Sequence, residues 1–97
     1  MRLKIMLYLD SMEVKHALSG FPYLVTAIEL CNENPNMRDT ICKMYSIIAE
    51  KHNTTASRVE RAIRHAIITS QAITDAKGKL TNSEFIAVAT DYFGNSK

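Results

Sequence analysis

Residues 48–67 read IAEKHNTTASRVERAIRHAI, and this stretch constrains the chain most, because it writes one helix end, a tight turn and a second helix in succession. To its left, Ile41, Met44, Tyr45, Ile48 and Ala49 share one face of a helix that stops at His52 and Asn53. Asn is among the few non-glycine residues that tolerate the left-handed backbone of a sharp helix exit, and Thr54-Thr55 offers an N-cap hydroxyl for the next helix. A helix-turn-helix needs a small residue at the crossing, a turn former four residues on, a cap two later, and then an apolar anchor. Ala49, Asn53, Thr55 and Val59 fill those four places.

Rotation by about 100° per residue sorts the second helix into two faces. Val59, Ile63, Ala66, Ile67 and Ser70 fall on a buried stripe, whereas Glu60, Arg61, Arg64 and His65, flanked by Arg58, turn outward. The outward set has the chemistry of a DNA-reading surface. Arg presents a planar fork that matches guanine O6 and N7, Glu accepts from cytosine N4, and phosphates require positive charge nearby. The plainer reading is a solvated face held by charge pairs such as Glu60 with Arg64. The helix-turn grammar in front of this helix favours the DNA reading.

Ninety-seven residues with 46% hydrophobic content suit one small folded domain, residues 1–97, with a single core. A net charge of +2 says little, but its placement says more. Residues 1–48 carry five basic and five acidic side chains; residues 51–79 carry Lys51, Arg58, Arg61, Arg64, Lys77 and Lys79 against only Glu60 and Asp75. Cys31 and Cys42 form no CxxC and stand apart from any histidine at zinc-ligand spacing, which implies reduced thiols and no metal site. The N-terminal MRLKIMLYLD meets Asp10 and Glu13 at once, so it is read as neither signal peptide nor membrane span, and a cytoplasmic location is expected. His16, His52 and His65 have no nucleophile or carboxylate at motif spacing and no glycine-rich phosphate loop accompanies them. Neither an enzyme nor a cofactor is expected.

The remaining segments predict further helices. Leu3, Met6, Leu7 and Leu9 fit a helix face, and no second strand candidate exists to pair with this segment. Ser11–Lys15 is a break, after which a helix begins near Phe21, with Gly20 and Pro22 at its start. NENPN at 32–36 is a turn, and the next helix is expected to run from there to Lys51 with Asp39 near its positive end. The second helix of the unit is expected from Ala56 to roughly Ala72, followed by a polar loop at Asp75–Lys79. Thr81-Asn82-Ser83-Glu84 is a capping box before a last amphipathic helix that Gly94 ends. The fold class is therefore all-α, a bundle of about five helices with a helix-turn-helix at about 40–72.

The strings IAEKH, NTTASRVERAIRHAI and LTNSEFIAVATD, in that order, closely resemble the C-terminal DNA-binding effector domain of the stage 0 sporulation protein A family of response regulators. The resemblance implies a helical bundle that binds short promoter elements, hence sequence-specific binding to double-stranded DNA and transcription regulation. It also implies that Glu60, Arg61, Arg64 and His65, with Ser57 and Arg58 at the helix start, match the family's base and phosphate contacts. Two departures accompany it. These 97 residues contain no βα alternation or acidic pocket of a receiver domain, and between Ile67 and Leu80 the sequence ITSQAITDAKGK replaces a longer family segment that includes an extra short helix. RNA polymerase, a homologous regulator and a weak homodimer on tandem sites are the further partners implied. The competing function is an interaction module without a receiver that pairs with, or antagonises, a full-length sporulation regulator.

Overall fold

The computed structural model describes residues 1–94, apart from the side chains of Arg38 and Lys77. Six α-helices follow one another: α1 (Arg2–Ser11), α2 (Gly20–Glu33), α3 (Ile41–Lys51), α4 (Ala56–Ile68), α5 (Gln71–Lys77) and α6 (Asn82–Gly94). A 3₁₀ turn, Pro35–Asp39, precedes α3, and no strand occurs among the described residues. The all-α expectation holds.

Helix α2 is the axle of the bundle. Phe21, Leu24, Val25, Ala27, Ile28 and Cys31 are buried on several sides of it, as expected of a helix that is apolar nearly all round, and it touches α1, α3, α4 and α6. Pro22 is harmless in the first turn, where no intrahelical partner awaits its missing N–H. Ile5 and Leu9 of α1, Met44 and Ile48 of α3, Val59 and Ile63 of α4 and Phe85 and Ile86 of α6 close the core around it.

Two helices end alike. After α1, Glu13 takes φ 58° and the Val14 N–H donates to the Leu9 carbonyl at 3.0 Å. After α3, Asn53 takes φ 54° and the Thr54 N–H donates to the Ala49 carbonyl at 2.9 Å. Both are left-handed exits with the six-to-one bond that satisfies an orphan carbonyl. The sequence announces the second through Asn; a Glu in this conformation carries no such signal.

Three boundaries differ from the sequence reading. The helix expected from the NENPN turn to Lys51 is divided. Asn34 accepts from the Asn36 N–H at 3.3 Å and starts the 3₁₀ turn, Asp39 ends that turn, and Thr40 leaves helical geometry before α3 begins. Helix α4 stops at Ile68 rather than Ala72, because Ser70 is extended and its hydroxyl caps a new helix by accepting from the Ile73 N–H at 3.2 Å. The segment 68–79, read as replacing a short family helix and as a polar loop from Asp75, in fact forms the short helix α5, which Gly78 ends at φ 76°. The same Ser70 hydroxyl donates to the Met12 carbonyl, so it pins the α4–α5 junction to the exit of α1. The capping box of α6 is present as read: the Thr81 N–H donates to Glu84 at 2.8 Å and the Glu84 N–H to the Thr81 hydroxyl at 3.2 Å.

Candidate nucleic-acid interface

The outer face of α4 is held in place from behind. Thr55 is extended and its hydroxyl accepts from the Arg58 N–H at 3.3 Å, which starts the helix where the sequence placed its cap. Val59 and Ile63 are fully buried, and Ala66 and Ile67 nearly so. Against the same stripe, Gly20 of α2 comes close to the Ala62 carbonyl oxygen. Helix α3 also packs on α4, and Ala49 is buried near the turn between them. These contacts lock the angle between the two helices, so the outward side chains are carried on a rigid element.

Ser57, Arg58, Arg61, Arg64 and His65 are all exposed. They share a face that is positive and free of apolar cover except at its far end, where Ile68 is 66% exposed. Glu60, read as outward, lies at the edge of this face and is half-buried. Its carboxylate pairs with Arg64 at 3.4 Å, the i,i+4 pair of the plainer sequence reading, so the ion pair and the basic face coexist. A surface pair of this kind is worth about 0.3–0.5 kcal/mol, too little to be the reason for three arginines on one helix.

Long-range bonds that no local pattern announces steady the Glu60 turn. The Asn82 side-chain amide donates to the Glu60 carbonyl and to the Tyr45 hydroxyl, both at 3.1 Å, and ties α6 and α3 to α4 at one point. Burial pushes the Tyr45 hydroxyl above its ordinary pKa, with the Asn82 bond acting in the opposite direction, so it stays a neutral donor. Asn82 itself is buried with its polar atoms satisfied. In the sequence it reads only as part of a capping box.

Among the described residues no group of His, Cys, Asp and Glu is arranged to hold a metal; Cys31 and Cys42 form no disulfide, and the buried Cys31 thiol donates to the Met44 sulfur at 3.6 Å. Among the described residues no helix is long and apolar enough to cross a membrane. What the face can do is donate: guanidinium forks and a hydroxyl arrayed along two turns of a fixed helix suit an extended polyanion with acceptor edges.

The family model described as sporulation initiation factor Spo0A C terminal matches residues 5–72. That span runs from the first buried residue of α1 through the whole helix-turn-helix and into α5. The string LTNSEFIAVATD of the last helix, which contributed to the resemblance, lies outside the matched residues. With well over half of its length matched and a helical architecture built on a helix-turn-helix, this chain belongs to the family of Spo0A C-terminal domains, the DNA-binding effector domains of sporulation initiation.

Proposed function

We propose that the domain binds double-stranded DNA sequence-specifically as a transcription regulator, with the segment from Ala56 to Ile67 laid in the major groove. The observation that carries this is the pairing of a locked helix-turn-helix with an exposed row of Arg58, Arg61, Arg64 and His65 on its second helix. Arg61 and Arg64 reach base edges, Glu60 discriminates against bases that offer no donor, and Ser57, Arg58 and His65 hold phosphates or the groove rim. One such unit covers a short half-site, so tandem sites raise affinity through a second copy, with α6 as the pairing surface. RNA polymerase or a homologous regulator is the further partner at a promoter, and the work is done in the cytoplasm.

The test compares Arg61→Ala and Arg64→Ala with Lys4→Ala, on a selected duplex and a scrambled one, at two salt concentrations. Loss of a bidentate arginine costs about 1–3 kcal/mol on the selected duplex and relaxes preference at one base pair, whereas Lys4→Ala leaves binding unchanged. Wild-type affinity in both arginine variants would replace this reading with that of a protein-interaction module.

A further inference from the structure

Beside the basic face, a groove of about 760 Å³ opens between the start of α3, the second half of α4, α5 and the loop before α6. Its apolar lining comes from Ile41, Tyr45, Ile67, Ile68 and Leu80. Ile68 is 66% exposed there, and Ile41, Tyr45 and Leu80 are half-buried, so the groove presents apolar surface to water. The volume lies within the roughly 300–1,000 Å³ of small-molecule sites, whose apolar walls are completed by a few placed polar groups.

Two donors supply those polar groups. Arg64 on the rim has a side chain 54% exposed and meets Glu60 through one nitrogen at 3.4 Å; a guanidinium has five N–H groups in a fork suited to carboxylates. The Tyr45 hydroxyl accepts from Asn82, which leaves its own proton to give. Lys79 adds a second positive charge to the lining.

We propose that this groove binds a small amphipathic carboxylate. Its apolar body lies on Ile67, Ile68 and Leu80, and its carboxylate takes the Arg64 fork with the Tyr45 hydroxyl as second donor. The occupant is an anion because the lining carries two cations against the single carboxylate of Glu60. It is small because the groove measures about 760 Å³, the size of a small-molecule site. One consequence rests on the DNA reading given above: a ligand that engages Arg64 withdraws a base contact and weakens DNA binding.

Decanoate and its neutral counterpart decanol are the probes, titrated into the isotopically labelled full chain and followed by amide chemical shifts. Decanoate shifts Ile67, Ile68 and Leu80 saturably and binds about tenfold more tightly than decanol, the difference a charge-assisted bond supplies. Arg64→Gln removes that tenfold advantage. Ile68→Glu, at an exposed position compatible with folding, weakens both probes at least tenfold, with circular dichroism as the check on helix content. Equal affinity for decanoate and decanol, or an unchanged advantage in Arg64→Gln, overturns the proposal. So does an acidic amphipathic peptide that shifts these amides when decanoate does not, since the groove is then a protein-docking surface. Saturable decanoate binding by a domain that ignores every duplex upholds the groove and rejects the DNA reading, so the two fail separately.

Discussion

Gly20 lies against the backbone of Ala62: a β-carbon at residue 20 would stand 2.3 Å from the Ala62 carbonyl oxygen and 2.8 Å from the Ala66 β-carbon. The close approach of α2 to α4 therefore depends on a missing side chain. Gly20→Ala should destabilise the fold by about 1–3 kcal/mol through the forced separation of α2 and α4, although alanine is the better helix former by about 1 kcal/mol. An unchanged urea midpoint would show that the contact can relax freely.

Ile63 is fully buried between α4 and the core. Ile63→Ala removes its outer carbons and leaves a cavity, at an expected cost of about 2–5 kcal/mol. Denaturant titration measures it, and a loss well under 1 kcal/mol would mean the assigned faces of α4 are wrong.

The left-handed exit at Asn53 sets where α3 stops and α4 starts. A β-branched residue there meets its own backbone, so Asn53→Val should cost about 1–2 kcal/mol or more, while Asn53→Gly fits without steric penalty. Thermal melts of the two variants side by side should separate them in that order.

Glu84 is held below its ordinary pKa of 4.5, first by the Thr81 N–H and then by the Thr81 hydroxyl. A carboxylate with a depressed folded-state pKa contributes stability above its unfolded pKa and loses it as the pH falls through the folded value. Fraying of the first turn of α6 should therefore begin only below pH 4.5. A carboxyl-detected titration should place the Glu84 midpoint under 4.5, and Thr81→Ala should move it upward.

Glu60 lies at the edge of the basic face of α4 and pairs with the Arg64 guanidinium. Glu60→Gln should change stability by less than about 0.5 kcal/mol, the worth of an exposed i,i+4 pair, yet alter base preference at one position. Uniformly tighter binding to every duplex would instead mean that its charge merely offsets Arg64.

The residues that spell the helix-turn-helix lie close together in the chain, and for that reason they were legible. Asn53 at φ 54°, the Thr55 cap, buried Val59 and Ile63, and exposed Arg58, Arg61, Arg64 and His65 all follow from local backbone preference and a 3.6-residue period. The Thr81–Glu84 capping box was legible for the same reason. Helix α5 is not legible in this way, because helical rotation makes Ser70 one more buried position of α4. Its hydroxyl could be seen as a cap only once the chain had folded Met12, 58 positions away, onto it. Glu60 illustrates the division within one residue: helical rotation puts it near the basic face, but Asn82 and Tyr45 decide that it sits half-buried at the edge of a groove. Sequence alone determined the helix-turn-helix, the Thr55 and Thr81–Glu84 caps and the positive sign of the outer face of α4, since those are set by neighbours within a few residues. Tertiary structure alone decided the helix crossing at Gly20, the end of α4 and the groove beside it, since each depends on contacts between residues far apart in the chain.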